Sequence, residues 1–470
     1  MRQRRLDLWL PSYVRGFAAR RRLRARRQQQ LTHVLFFVCD HYEPRHAARN
    51  PDQPAARVRA WHEGYRELQR ECEERYGLRP QHTFFYPPHH GPEHLPALAR
   101  MAFDGLGEIE LHYHHSGDTE DSLRADLKKT LADFRRAGLL LQAGDPPVRR
   151  FGFIHGDWAL DNSADGEYCG VDSEISLLQE LGCWGDLTMP SANRCQTRKI
   201  NSIYYAVDDP HKPKSHDTGA DARVNAPKQP GLLMIQGPLA LNVGAPRYPR
   251  VENASLTTYN WGRPDRIRSW LNCHVHVQGR PEWLFVKLHT HGAIEGDFDG
   301  LFGKRARMMH KMLAEQLNDG KNYRLHYVTA RQAFNVVRAA ENGLGGEPSQ
   351  YFDYELGPQA TSFYCLDAAH ELQSCTREKV ILRDIAPVER ATLRLRQGPE
   401  EISGKLASVA MEPGQRMARF ELHGGSGEAQ VRLNGAAIAQ LTGGEVVRTE
   451  GKLVSLRCNG PVTVRFEEAR

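Results

Sequence analysis

From residue 31 onward the chain alternates short apolar runs with amphipathic stretches of helical period. Residues 32–40 (THVLFFVCD) form a strand-length apolar run that ends in polar groups, and 82–86 (HTFFY) a second, stopped by Pro87-Pro88. Between them, 53–76 reads as a helix with Val58, Trp61, Tyr65, Leu68 and Cys72 on one face. The rhythm continues with helix 93–103, strand 109–113, helix 119–137, strand 150–154 and helix 169–181. Strands at 183–189, 231–235, 283–288 and 324–328 follow, with helices at 304–317 and 330–342. Strands alternating with helices predict an α/β protein with parallel strands, in which chemistry sits at the C-terminal strand ends.

Two regions break the rhythm. Residues 190–230 are long and polar, with Tyr204, Tyr205, Asp208, Asp209, His211 and Lys212. That composition suits a flap touching sugar or anion, or else disorder. From about residue 380 the pattern switches to short β runs, with Asn434-Gly435 and Asn459-Gly460 as hairpin-type turns. This predicts a small antiparallel β-sandwich. The expected organisation is a basic amphipathic helix (1–30), an α/β domain (31–345), a linker (346–379) and a β accessory domain (380–470).

Charge changes the picture only at the head. Residues 1–30 carry ten Arg and one Asp, more than the whole chain's net +6, so the remainder is slightly acidic. Nucleic-acid binding by the body is therefore not expected. Leu6, Trp9, Leu10, Tyr13, Val14 and Phe17 make an apolar stripe, and Pro11 suits the first turn of a helix running to about residue 29. Such a helix packs on the body or touches an anionic membrane surface peripherally. It lacks the apolar core of a secretory signal, and no apolar run approaches the ~20 residues of a membrane span. Nine scattered cysteines without a CxxC pair argue for a reducing compartment. The expected location is the cytoplasm, with the inner membrane face as an option.

The candidate chemistry gathers at strand ends. The segment 107–119 (GEIELHYHHSGDT) is a strand ending in three histidines, and alternation points His112 and His114 the same way. Asp40, His41 and Glu43 follow the first strand, His155, Asp157 and Trp158 the fourth, and His289 and His291 a late one. A carboxylate with two histidines gives a 2-His-1-carboxylate metal site with open positions, able to activate water for hydrolysis. Asp40, Glu43 and His289 are the groups available to take the water's proton and to protonate the leaving amine, and His115 and Asp118 are of the type that orients ligating imidazoles. Trp158 suits stacking on a sugar ring, although core packing is the simpler role for one Trp. Glu43, Asp157, Asp161 and Glu108 would instead serve a metal-free two-carboxylate glycoside hydrolase.

In order, Cys39-Asp40-His41-Tyr42-Glu43, Thr83-Phe84-Phe85, Glu108 to His112 and Leu288-His289 resemble the motifs of the polysaccharide deacetylase (NodB-homology) superfamily over residues 31–340. The nearest pattern is a branch associated with exopolysaccharide loci, with sequences like VDHFEP, HxHH and VKLHTHG. The resemblance implies a distorted (β/α)7 barrel of glycoside hydrolase/deacetylase type. It also implies one divalent metal ion, zinc or else iron, cobalt or nickel, held by one Asp and two His. Carried onto this chain, the ligands are Asp40, His112 and His114, with His41 and His115 as alternates. Glu43 or His41 is the base, His289 the acid, and Trp158, Asp157 and Asp161 contact substrate. The chain departs from the family in lacking adjacent aspartates, in Ser116, and in Phe153-Ile-His-Gly-Asp-Trp158. The expected function is removal of an acyl group from an amino sugar or polysaccharide. The alternatives are a non-catalytic glycan-binding or exopolysaccharide assembly protein and the metal-free glycosidase.

Overall fold

The first strand, Thr32–His41, is buried at every position because apolar residues occupy both of its faces. Leu35, Phe37 and Cys39 enter one core cluster, and Val34, Phe36 and Val38 another. The computed structural model describes all residues except 1–3, 28–29, 137–138, 143–147, 228, 245–249, 360–362, 367–370, 376–378, 386, 388–390, 396–399, 413–414, 434–435 and 469–470. Contacts group the chain into two units. The first comprises Met1–Gly91, Leu106–Leu127 and Phe151–Leu356; the second comprises Pro92–Gly105, Lys128–Arg150 and Gly357–Arg470.

The first unit holds a ten-stranded sheet with Thr32–His41 at its hub. One edge of that strand pairs in parallel with Trp283–Thr290. The other edge is shared, Thr32 to Phe36 pairing with Tyr323–Tyr327 and Val38 to His41 with His82–Tyr86. The sheet continues in parallel through Gly107–Tyr113, Phe151–His155, Cys183–Asp186 and Leu232–Ile235. It ends on two antiparallel strands, Ile203–Ala206 and Ala220–Asp221. Among the described residues this ladder is an open path, so the expected parallel α/β sheet is present while closure into a barrel is not seen.

Helix Ala330–Glu341 explains why the chemistry sits at one end of the sheet. Its residues Ala333, Phe334, Val336 and Val337 join Leu35, Phe37 and Cys39 in one cluster. A capping box between Thr329 and Gln332 starts it. Ala330 N donates to Thr83 Oγ1 (2.8 Å), while Thr329 Oγ1 and Arg331 Nε donate to Glu108 at 2.6 and 2.8 Å. The helix thus starts against the N-terminal ends of the second and third strands. The C-terminal ends of the same face carry polar side chains instead.

Helices Gln53–Tyr76 and Lys304–Leu317 match the sequence expectation, but other elements differ. The head forms two helices, Leu6–Arg15 and Phe17–Arg27, and Pro11 lies inside the first rather than at its start. Trp9 is fully buried against Ala192 and Leu239, so the apolar stripe is partly spent on its own unit. The helix expected from 169 begins only at Glu174, because Gly170 holds φ +137°. The polar stretch 190–230 is ordered over its described residues and supplies the two antiparallel strands.

The second unit is also built on a ten-stranded sheet, antiparallel throughout. A sandwich of two sheets was expected; the strands instead form one hydrogen-bonded path with one core cluster, including Val409, Phe420, Val431, Leu456 and Val464. The long strand Leu453–Glu468 is the reason. Its first part pairs with Ser426–Leu433 and its later part with Met417–Leu422, so a single strand joins what two sheets would divide. Asn459-Gly460 lies within this strand rather than in a turn, and Asn434-Gly435 lies outside the described residues.

Candidate metal centre

Alternation along Gly107–Tyr113 sets Glu108, Glu110, His112 and, one step past the strand, His114 on one face. Glu108 is taken by the Ala330–Glu341 helix start, and Glu110 accepts from Gly152 N. The two histidines remain at the C-terminal end. His112 Nδ1 lies 2.9 Å from the Ile154 carbonyl oxygen, and His114 Nδ1 lies 3.1 Å from Asp157 Oδ2. Both partners accept only, so both Nδ1 atoms carry the ring proton. In the neutral rings each Nε2 is then a bare lone pair, yet the two Nε2 atoms are 2.9 Å apart.

Glu43, two residues past the first strand, brings its carboxylate to the same place. Its Oε1 lies 3.2 Å from His114 Nε2 and 3.8 Å from His112 Nε2. These three donor atoms all fall within 4.8 Å of one another. Three such atoms this close need a positive charge among them, either a proton on His114 or a metal ion. Two His and one Glu also form a known catalytic zinc ligand set. The residues present therefore fit a divalent ion.

Other groups border this cluster. His291 Nδ1 donates to Glu43 Oε2 at 2.8 Å. The His41 ring stands 4.7 Å from that of His112 and 4.9 Å from that of His291, and its Nε2 is buried without a hydrogen-bond partner. His89 and His90 also lie within ligand reach of Glu43. Trp158 is half-buried, 6.0 Å from the rings of both His41 and His289. Its other neighbours, Ala159, Ala164 and Met189, form a small core cluster, so the indole both packs and faces the imidazoles.

The charges follow from these contacts. Burial opposes ionisation of Glu43, but hydrogen bonds from His114 and His291 outweigh it and hold the carboxyl well below the usual range. Burial lowers His112 to about 3. It acts against His114 too, yet Asp157 and Glu43 raise that ring to about 9. His289, expected as a charged acid, is buried beside Lys287, and both effects depress it well below the usual histidine value. His291 is raised instead, Glu43 outweighing burial.

The structure does not bring every expected residue here. Asp40 points to the opposite face of the first strand from His41. Its Oδ1 accepts from Gly292 N at 2.6 Å, and its Oδ2 lies 3.4 Å from His82 Nδ1. The carboxylate that converges with His112 and His114 is Glu43, and Asp40 is not in that group. Burial raises the Asp40 pKa well above the carboxylate range. A Cβ on Gly292 would stand 1.8 Å from Asp40 Oδ2, which explains the glycine that closes Leu288-His-Thr-His-Gly292. Asp161 is fully buried and accepts from Ser215 N at 2.6 Å, so it is sealed off from substrate. Asp157 is exposed and its Oδ2 lies against His114. His115 turns away, toward Asp118 and Glu174. A cavity of about 790 Å³ lies elsewhere, bordered by Leu6, Leu10 and Arg250, and none of the candidate residues line it.

Sequence reasoning noted His291 without giving it a role and passed over His89 and His90. Their signal was adjacency to strand ends at 86 and 290, where polar residues collect.

No protein-family model and no curated protein matches the chain. Among solved structures, a provisionally named polysaccharide deacetylase from Mycobacterium smegmatis aligns at 15% identity and TM-score 0.39, covering 68% of this chain and 94% of that one. A GH57 branching enzyme from Thermococcus kodakaraensis aligns at 10% identity and TM-score 0.29, covering 61% and 68%. Chitinase ChiA74 from Bacillus thuringiensis aligns at 8% identity and TM-score 0.21, covering 86% and 81%. These scores are too low to decide the fold or the chemistry.

Proposed function

We propose that Glu43, His112 and His114 hold one divalent metal ion, zinc before iron, cobalt or nickel, in a hydrolase that removes an acyl group from an amino sugar or polysaccharide. The observation that carries the reading is the convergence of one ligand atom each from Glu43, His112 and His114 within 4.8 Å, with both imidazole Nδ1 atoms already committed to outside acceptors. An ion bound there would acidify water and polarise a carbonyl oxygen.

The surrounding side chains have separable tasks. Asp157 fixes the tautomer and tilt of His114. His41, neutral and unpartnered at Nε2, is placed to take a proton from the attacking water. His291, held protonated by Glu43, donates a proton to the leaving amine in place of the neutral His289. Trp158 offers a ring face to a sugar. Of the carboxylates considered for a metal-free glycosidase, Glu43 and Asp157 are both engaged by His114 and Asp161 is sealed off, which favours the metal reading.

Seven buried cysteines are free among the described residues, which supports a reducing, cytoplasmic setting. No described helix is long and apolar enough to cross a membrane. Peripheral membrane contact through residues 1–30 would rest on the arginines, since Trp9 is buried.

The test compares wild-type protein with a His112→Ala/His114→Ala variant by elemental analysis and by acetate release from N-acetylated oligosaccharides. The expected result is loss of metal and of acetate release together, with a chelator abolishing the wild-type activity and zinc restoring it. Metal retained in full by the variant, or activity indifferent to chelator, overturns the reading.

A further inference from the structure

On the far side of the same strand ends lies another convergence of donors, independent of the Glu43 centre. His115, His155, Cys169 and Glu174 each present one ligand atom, and all four lie within 4.8 Å of one another. His115 Nε2 is 2.9 Å from His155 Nε2 and 3.2 Å from Glu174 Oε1. Glu174 Oε1 is 3.5 Å from His155 Nε2. A tetrahedral zinc with bonds of about 2.0–2.3 Å asks for donors roughly 3.3–3.7 Å apart, close to this spacing.

The hydrogen bonds around the cluster turn both imidazole Nε2 atoms toward its centre. His115 Nδ1 lies 2.9 Å from Asp118 Oδ2, and His155 Nδ1 faces the Gly156 carbonyl oxygen. As both partners only accept, both Nδ1 atoms donate, and both Nε2 lone pairs face inward. Glu174 Oε2 accepts from Asp161 N at 2.6 Å, which leaves Oε1 turned to the imidazoles. Val171 N donates to Cys169 Sγ at 3.5 Å, and the same sulfur lies 3.7 Å from both the Val171 carbonyl oxygen and Glu174 Oε2. One extra proton would relieve one pair of these atoms and leave the others opposed.

We infer that His115, His155, Cys169 and Glu174 form a structural zinc site. Four protein donors from one buried pocket leave no open position for water or substrate, which is the pattern of a structural rather than a catalytic ion. Cys169, His155 and Glu174 are fully buried. The site joins three pieces of chain: the loop after Gly107–Tyr113, the end of Phe151–His155, and the start of Glu174–Glu180. Gly117 N donates to Cys169 O at 2.7 Å, already tying the first piece to the loop that carries the thiol. His114 precedes His115, and Asp157 and Trp158 follow His155, so the ion would fix the segments that aim the first centre.

The deciding probe is cobalt alone, loaded into full-length protein in place of zinc. Only a thiolate-ligated cobalt gives a sulfur-to-metal charge-transfer band in the near ultraviolet, and the Glu43 centre has no cysteine. The wild type should show that band and bind about two metal equivalents. Cys169→Ser should lose the band and about one equivalent. His112→Ala should keep the band at full intensity, so failure of the first centre and failure of this one read differently. Where Cys169→Ser fails to fold, Glu174→Gln serves, with the band expected to shift or weaken at least several-fold. A cobalt-loaded wild type without the band, or a band that persists in Cys169→Ser, overturns the proposal.

Discussion

Asp40 and Gly292 give the sharpest test of how the first centre is built. Asp40 has no exposure, and its Oδ1 accepts the Gly292 N–H at 2.6 Å. Asn keeps that acceptor and carries no charge, in a place where burial opposes ionisation of the carboxyl. Asp40→Asn should therefore keep its metal and lose no more than about 1 kcal/mol. Asp40→Ala removes the acceptor, strands a buried N–H, and should cost about 1–3 kcal/mol. Gly292→Ala drives a Cβ to 1.8 Å from Asp40 Oδ2 and 2.5 Å from Cγ, with no solvent for the carboxyl to swing into. Overpacking of this kind costs about 1–3 kcal/mol. In the Asp40→Ala/Gly292→Ala double variant the clash has no partner, so the combined cost should fall short of the sum by about 1 kcal/mol or more. Urea unfolding midpoints, with metal content measured on the same samples, read all four. Metal lost from Asp40→Asn would make Asp40 a ligand after all; strictly additive costs would mean that the two groups do not press on each other.

Further outcomes follow from the same contacts. Asp157→Ala frees the His114 ring and should weaken metal affinity about 10–100-fold, measured by competition with a chromophoric chelator; unchanged affinity counts against the orienting role. Arg331→Met takes the guanidinium away from the buried Glu108 carboxyl, with an expected loss of about 3–5 kcal/mol in chemical denaturation, mostly recovered when Glu108→Gln is added. Trp158→Ala should raise KM for a saccharide substrate while metal content stays constant; a fall in metal instead would assign Trp158 to packing. Burial holds His310 at about 3, against 6.5 for the free side chain. The folded state binds fewer protons than the unfolded one between those values, so stability is full above 6.5 and falls with pH below it. At pH 5.5 this group alone should cost about 1 kcal/mol, a slope that His310→Gln removes. Parallel stability–pH curves for wild type and variant would refute that assignment.

The parallel strands were legible because their apolar runs are short, continuous and bounded by polar residues, as in 32–40 and 283–288. The strand Ile203–Ala206 was not, since Tyr204 and Tyr205 sit in polar surroundings and gain their burial only from distant residues such as Glu341. The histidine pair at 112 and 114 followed from the period of a strand alone. The choice between Asp40 and Glu43 did not. Asp40 belongs to the strand and its alternation sends it to the buried face away from His41, whereas Glu43 lies beyond the strand, where no period governs direction. His115 was grouped with its neighbours for the same reason: once the strand ends, adjacency in sequence no longer says which side a ring faces. The cluster of His115, His155, Cys169 and Glu174 spans 60 positions and has no short spacing to give it away.

The hub position of Thr32–His41 also bears on the protein's synthesis. Asp40 pairs with Thr290, and Glu43 with His291, so partners essential to this strand emerge about 250 residues later. At roughly 5–20 residues per second that is a delay on the order of 12–50 s. Throughout it, THVLFFVC (residues 32–39) has neither its main neighbour nor a complete core, and a β-prone run of this kind without an Asp, Glu, Lys or Arg invites association with other chains. The hydrophobicity that makes this strand the hub of the finished sheet thus makes it the most hazardous part of the growing chain. The contacts that complete this strand can therefore close only late, after the residues near 290 have been made.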